Sequence, residues 1–230
     1  MKYANIVTGI FIKRPNRFIA HVMINNREEI VHVKNTGRCK ELLIPGVVVY
    51  LQEHDNPKRK TRFSLIAVQK GSLLVNIDSQ APNKVILEAL GRGLRLPGLN
   101  SPISRVYAES SYSNSRFDFY ITAGEQKAYI EVKGVTLEDK GVAKFPDAPT
   151  QRGVRHICEL MKAMDEGYLA YIIFVVQMKG ISHVTPNDET HAEFGRTLRQ
   201  AYREGVNVIA YDCVVTPNTL ELDKEIPVVL

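Results

Sequence analysis

Ser115-Arg116-Phe117-Asp118-Phe119-Tyr120-Ile121, followed by Ala128-Tyr129-Ile130-Glu131-Val132-Lys133-Gly134, sets the architecture of this 230-residue chain. Phe117, Phe119 and Ile121 alternate with Arg116, Asp118 and Tyr120. Ala128, Ile130 and Val132 alternate with Tyr129, Glu131 and Lys133. Period-two alternation predicts two strands, each with one apolar and one polar face. The connection Thr122-Ala123-Gly124-Glu125-Gln126-Lys127 is short and contains a glycine, which suits a hairpin. A turn centred between Gly124 and Glu125 sets Asp118 opposite Glu131. Directly opposed residues have Cβ atoms about 4.5–5.5 Å apart, and two like charges there destabilise a sheet unless something neutralises them.

A divalent cation would do so. Mg²⁺ or Mn²⁺ takes oxygen ligands and uses one or two carboxylates, leaving positions for water and phosphate. Asp118 and Glu131 are therefore candidate metal ligands. Lys133, two residues from Glu131 on the same face, is placed to orient an attacking water and to stabilise charge on a phosphoryl group. Together the three residues form a candidate catalytic set. Asp followed by Glu-x-Lys on the next strand resembles the PD-(D/E)XK nuclease superfamily, although Phe117 stands where that motif carries proline. The alternative is an exposed hairpin face with a Glu-Lys pair.

Composition bounds the class. A hydrophobic content of 44% supports an ordinary globular core. Cys39, Cys158 and Cys213 are scattered, without C-x-x-C spacing, which speaks against a disulfide framework or a zinc site and for a reducing interior. The N-terminus leads into an alternating strand rather than an apolar signal segment. The longest apolar run, Tyr168 to Met178, is shorter than the roughly 20 residues that span a bilayer. The expectation is a cytoplasmic protein with no membrane partner. Charge is uneven: residues 1–80 carry 13 Lys/Arg and 6 Asp/Glu, a net +7, while residues 81–230 carry 17 and 19, a net −2. Such asymmetry suggests a polyanion-binding module beside a domain with another task.

The fold class expected is α/β with two domains. In residues 1–80, short strands at Ile6–Lys13, Phe18–Asn25, Ile30–Val33, Val47–Glu53, Phe63–Gln69 and Leu73–Ile77, with one helical turn at Cys39–Leu43, predict a small OB-like β-barrel. Two basic stretches lie in it, Lys34 to Lys40 and Lys58 to Phe63. Lys34, Arg38, Lys58, Arg59, Lys60 and Arg62 are its candidate nucleic-acid contacts, with Phe63 as an aromatic for an unpaired base. A solvated loop is the alternative. Residues 81–230 predict a three-layer α/β/α domain with a mixed sheet. Asn83 caps a first helix ending at Gly91, in which Glu88 is either a third acid of the site or an i,i+4 partner of Lys84. Val135 to Thr150 reads as a long loop near the site. Thr150 then caps a helix to Glu166. Val154, Ile157, Met161 and Met164 share one side of it, and Arg152, His156 and Glu159 the other, either as solvated charge or as a row over the metal. Arg152, in the first turn, is a further phosphate contact. Tyr168–Met178 is a central buried strand, and a helix over about 188–204 and a strand over 206–213 complete the domain.

With these elements placed, the chain resembles the sugar fermentation stimulation protein A family. The likeness is carried by Asn35-Thr36-Gly37-Arg38, Lys58-Arg59-Lys60, Ser115–Phe119, Tyr129–Leu137, Phe145-Pro146-Asp147-Ala148, Thr150-Gln151-Arg152-Gly153, His156, Glu159-Leu160 and Gly205–Val208. The resemblance implies an OB-like domain joined to a PD-(D/E)XK nuclease-like domain, DNA binding, and supporting roles for Arg152, His156 and Glu159. The family name records a sugar-metabolism phenotype rather than a molecular activity. Two functions follow: a DNA-binding protein with a Mg²⁺- or Mn²⁺-dependent phosphodiesterase site, or a non-enzymatic DNA-binding regulator of sugar-metabolism genes on the same scaffold. The sequence leaves single- versus double-stranded preference and oligomeric state open.

Overall fold

The computed structural model describes residues 1–35 and 37–230. Thr36, within the basic stretch and the family motif, lies outside the described residues. The N-terminal strands are β1 (Ile6–Lys13), β2 (Ile19–Ile24), β3 (Arg27–Val33), β4 (Val48–Glu53), β5 (Phe63–Lys70) and β6 (Leu73–Asn76). They pair in the order β3-β2-β1-β4-β5-β6, and a further β3–β5 pairing closes the barrel. Closure removes the free edges that a five- or six-stranded sheet of this size otherwise exposes. Val22, Val31, Val49, Leu51, Leu65 and Val68 fill the interior, all fully buried. Cys39 to Leu43 forms a hydrogen-bonded turn that plugs one end with Leu42 and Leu43.

Next come α1 (Ala81–Gly91), β7 (Arg105–Tyr112), β8 (Ser115–Ala123), β9 (Gln126–Val135), β10 (Glu138–Asp139), β11 (Val142–Phe145), α2 (Gln151–Asp165), β12 (Leu169–Val176), β13 (His183–Pro186), α3 (Asp188–Arg203), β14 (Asn207–Thr216) and β15 (Thr219–Ile226). The large sheet runs β15-β14-β12-β9-β8-β7. Its centre is parallel, with β12 bonded to both β9 and β14, and its flanks are antiparallel. One face packs on α1 and the other on α2 and α3, as two separate apolar clusters. This is the mixed three-layer architecture expected. Strands covered on both sides are apolar throughout, which explains the unbroken run Leu169–Val176.

Double coverage also corrects the hairpin. β8 keeps the expected alternation, with Arg116 exposed and Asp118, Tyr120 and Thr122 half-buried between buried neighbours, but β9 does not: Tyr129, Glu131 and Val135 lie buried on the α2 side, and Ala128, Ile130 and Val132 on the α1 side. The side on which the apolar residues of β8 pack changes at Asp118, because Phe117 belongs to the α2-side cluster while Phe119 and Ile121 belong to the α1-side cluster. The segment read as a long loop after Val135 contains β10 and β11, which pair with β13 in a small second sheet. Asn83 does not cap α1. Gln80 stands at the cap, and Asn83 sits inside the first turn. Thr150 does cap α2, its Oγ1 accepting the Gly153 N–H at 3.0 Å. On α3, Phe194, Leu198 and Ala201 face inward, but Tyr202 is 58% exposed.

Barrel and sheet meet through polar groups. Gln177, just beyond β12, donates to Asn76 Oδ1 (2.9 Å) and to the Asp78 carbonyl (3.1 Å), and the Asn76 N–H donates to the Gln177 carbonyl (2.9 Å). The buried Asp78 carboxylate accepts from Lys34 Nζ (3.2 Å), Tyr3 Oη (3.3 Å) and the Gln80 N–H (3.0 Å). Gly134 leaves room for this junction, since a Cβ there would lie 2.6 Å from Gln177 Oε1 and 2.7 Å from Pro82 Cγ. Neither atom yields easily: Gln177 is held by its hydrogen bonds and the Pro82 ring is rigid. Overpacking of this kind costs about 1–3 kcal/mol. Gly134→Ala is therefore expected to lower the unfolding free energy by that amount, read as a lower urea midpoint at unchanged slope, with both domains losing protection from proteolysis in parallel.

Candidate functional site

The hairpin register is the one set by the turn: Phe119 pairs with Ile130, Tyr120 with Tyr129 and Ile121 with Ala128. The ladder stops one pair short of Asp118 and Glu131. In its place the Asp118 side chain takes over, Oδ2 accepting the Val132 N–H at 2.7 Å and Oδ1 accepting from Asn83 Nδ2 at 2.6 Å. On the other side the β7–β8 ladder skips the Glu109–Asp118 pair, with Glu109 in the left-handed region at φ 53°. Asp118 thus stands where the sheet opens, anchored to α1 and to the next strand. Asn83 is the residue that sequence reading missed. Its signal was weak, because an Asn at a helix start reads first as a cap.

Glu131 lies 4% exposed on the α2 side of β9. Its Oε1 accepts from Lys133 Nζ at 2.5 Å and from His156 Nδ1 at 2.6 Å. Arg152 Nε donates to His156 Nε2 at 3.3 Å, so the imidazole is assigned as the Nδ1–H tautomer, donating to Glu131 and accepting from Arg152. The face of α2 carrying His156 and Glu159 therefore packs against the sheet and is not solvated: His156 is 2% exposed and Glu159 7%. Arg152, one turn earlier, remains exposed. Glu131 Oε2 is buried without a hydrogen-bond partner among the described residues, and the same holds for Glu159 Oε2.

The electrostatics follow. Burial, then the nearby Glu131 charge, raises the Asp118 carboxyl above the usual range, and the hydrogen bonds from Val132 and Asn83 offset this only in part. Burial also pushes Glu131 up, but the His156 hydrogen bond and the Lys133 ammonium outweigh it, leaving its carboxyl below the usual range. Two neighbouring carboxylates with pKa values driven apart are the pattern of a site with divided roles. No group of three or more His, Cys, Asp or Glu with metal-binding geometry occurs among the described residues. A cation here would draw on Asp118, Glu131 and non-protein ligands. The unpartnered Glu131 Oε2 and the raised Asp118 carboxyl both fit such an ion, which would give that oxygen a partner and relieve the repulsion.

The other candidates are dispersed. Glu88 is not with Asp118. It pairs with the Met1 amine (2.9 Å) and Arg92 (3.7 Å), and not with Lys84. Lys34 is committed to Asp78 at the junction. Arg38, Lys58, Lys60 and Arg62 are exposed on the barrel. Arg62 pairs with Glu53, and Arg59 is tied to Ser64 Oγ (2.9 Å) and the Thr61 carbonyl (3.3 Å). Phe63 is 5% exposed, so it belongs to the barrel core and offers no stacking surface. No helix among the described residues is long and apolar enough to cross a membrane.

Known proteins share this organisation from end to end. Residues 12–77 match the SfsA N-terminal OB domain, and residues 80–219 match the sugar fermentation stimulation protein RE domain. This chain belongs to the sugar fermentation stimulation protein family. A sugar fermentation stimulation protein homolog of Ruminiclostridium cellulolyticum is 60% identical over 228 residues, 99% of each chain. One from Clostridium beijerinckii is 54% identical over 230 residues, all of both chains. Among solved structures, Pyrococcus furiosus SfsA in complex with Ca²⁺ matches with a TM-score of 0.89 at 28% identity, covering 100% of this chain and 98% of that one. The family's barrel and mixed sheet are thus the two parts seen here.

Opposite stability effects are expected at the two carboxylates. Asp118→Asn keeps both hydrogen bonds once the Asn83 amide flips, and it removes a charge that burial and Glu131 disfavour. It should stabilise the protein by about 1 kcal/mol or leave it unchanged. A raised carboxyl loses stability as pH climbs from its ordinary range of about 4, so the advantage of the variant should widen toward neutrality. Glu131→Gln strands Lys133 and should cost about 3 kcal/mol at pH 7. That loss should shrink in acid, because the contribution of a lowered carboxyl is present above its ordinary range and disappears as pH falls through its folded value. Chemical denaturation of both variants from pH 2.5 to pH 8 measures the two trends.

Proposed function

We propose that this protein binds DNA and cleaves it as a divalent-cation-dependent phosphodiesterase, with Asp118 and Glu131 as the cation ligands. The observation that carries the proposal is the buried Glu131 Oε2 without a partner among the described residues, next to an Asp118 carboxyl that burial and then the Glu131 charge push up. The Ca²⁺ complex of the Pyrococcus furiosus relative supports a divalent ion in this family. When bound, Mg²⁺ or Mn²⁺ would supply Lewis-acid stabilisation of charge on the phosphodiester. The remaining work falls to the chain's own groups. Asn83 and the Val132 N–H hold Asp118 in place. His156 fixes Glu131 and is itself braced by Arg152. Lys133, 14% exposed at its side chain, is near enough to Glu131 to shift onto a water or a phosphate oxygen. Exposed Arg152 grips a neighbouring phosphate, as a guanidinium does in two-point contact.

A second reading is favoured by one observation. Glu131 Oε1 already receives both Lys133 and His156, so the charge of this carboxylate is matched without an added ion. On that reading the protein is a DNA-binding regulator with no turnover, and its binding is indifferent to chelators.

Cleavage of labelled single- and double-stranded DNA with Mg²⁺ or Mn²⁺ separates the two. The wild type should cut, and Asp118→Asn, although folded, should lose activity by a factor on the order of 10²–10³. Lys133→Met should fall by a similar factor. Equal rates in wild type and Asp118→Asn would remove the assigned site, and no cleavage by wild type with either ion would leave the regulator reading.

A further inference from the structure

The barrel carries a cationic cleft that the basic stretches in the sequence mark only in part: Arg38 and Lys40 belong to the first stretch, Lys13 and Arg17 to neither. Lys13, Arg17, Arg38 and Lys40 line a cleft of about 600 Å³ that runs between the β1–β2 connection and the turn after β3, and Ala148 of the second domain forms part of its wall. Among the described residues no acidic side chain lines it. Two carboxylates lie close by: Asp147, whose Oδ2 sits against Gly37 in the cleft wall, and Glu41, and both add to burial in raising the Cys39 thiol. All four cations are exposed. The patch at Lys58 to Arg62 has less to offer a ligand, since Arg62 is paired with Glu53 and Arg59 with its own loop.

The cleft is pre-shaped. A fifth cation, Arg14, spends its guanidinium on backbone carbonyls: Nη1 donates to Gly37 (2.9 Å) and Arg38 (2.8 Å), and Nη2 to Arg17 (2.8 Å) and Asn35 (2.6 Å). It ties the two walls together. Asn16 Oδ1 accepts the Phe18 and Ile19 N–H groups (2.9 and 3.1 Å) and fixes the tip of the first wall. That tip presents Phe18, 51% exposed, with the Arg17 guanidinium 5.9 Å from its ring centre. An exposed aromatic is a stacking surface for an unpaired base, whereas bases in a duplex are already stacked on one another. Ala148 also gives direction. Two residues on, Thr150 caps α2, and Arg152 follows in its first turn, bonded to His156 beside Glu131. Cationic groups therefore mark a route from the barrel to the acidic cluster.

We propose that this cleft seats single-stranded nucleic acid, its phosphates held by Lys13, Arg17, Arg38 and Lys40 and one base stacked on Phe18. The proposal rests on the DNA-binding reading above and names the form of its substrate. The test is equilibrium binding of the full chain in EDTA, followed by anisotropy of a labelled oligo-dT of about 12 nucleotides, within the site size of one OB fold, and of a duplex of equal length. EDTA separates binding from cleavage. Arg17→Ala/Arg38→Ala/Lys40→Ala should weaken oligo-dT binding at least about 10-fold and flatten the log–log salt slope by about 2, near 0.7 for each phosphate that the variant no longer neutralises. Lys58→Ala/Lys60→Ala should change either quantity far less. Phe18→Ala should weaken oligo-dT on the order of 10-fold and leave the duplex unaffected. Wild-type oligo-dT binding that survives the triple substitution would overturn the cleft while leaving the functional reading intact. A wild type that binds the duplex and not oligo-dT would overturn the single-stranded assignment. A wild type that binds neither, with or without Mg²⁺, would overturn the functional reading itself.

Discussion

A carboxylate 4% exposed in the middle of a sheet is the constraint to which much of the second domain answers. An ionised group taken out of water costs several kcal/mol unless it is paired and hydrogen-bonded. Glu131 meets that condition by drawing two elements onto one oxygen: Lys133 from its own strand and His156 from α2. α2 must therefore cross β9 with His156 directly over Glu131, which in turn sets Arg152 at the exposed end of the helix. The second oxygen is left without a partner. A chain selected for stability alone would fill such a position with an apolar residue, as its neighbours Ile130 and Val132 do. A half-satisfied buried carboxylate is the observation on which the proposed cation site rests.

Asp118 reaches the same neighbourhood by a different device. Continuing the β8–β9 ladder through Asp118 and Glu131 would bring two carboxylates face to face. The strands part there instead, and the side chain of Asp118 replaces the lost backbone bond by accepting the Val132 N–H. The same break moves Phe117 to the α2 side, where its ring meets His156 edge-on at 6.0 Å. One local departure from sheet regularity thus places the acid and helps wall the histidine.

The barrel is not a passive companion. Its last strand leads through Asp78 directly into α1, and the third residue of α1 is Asn83, which holds Asp118. Asn76, Asp78 and Gln177 make the passage rigid by satisfying one another in a buried network, with Lys34 balancing the Asp78 charge. Gly134 is the point where this network touches β9, one residue beyond Lys133. A shift of the barrel relative to the sheet would accordingly be felt at Asp118 through α1 and at Lys133 through Gly134. Polar junctions of this kind fix orientation better than apolar ones, because hydrogen bonds fail when geometry slips whereas apolar contacts tolerate it.

What the sequence revealed and concealed follows the same physics. The barrel strands were legible because each has a period-two pattern bounded by Pro, Asn or Gly, and Leu169–Val176 because a doubly covered parallel strand is apolar throughout. The turn arithmetic found the hairpin register. It did not find the end of the ladder, because an Asp that accepts a backbone N–H reads the same as one that faces solvent. The polar side of α2 left two readings open for a related reason: charge on a helix face means water on that side unless a buried partner awaits, and Glu131 lies in another element. Asn83, Gln177 and Arg14 escaped notice because each acts by bridging segments distant in sequence. The short strands after Val135 left no periodic trace. Local patterns report what a residue does to its own strand or helix. The three-dimensional arrangement of this protein depends on groups such as Arg14 and His156, whose single side chains bind separate segments together, and such groups become visible only once the fold has brought those segments within a hydrogen bond of each other.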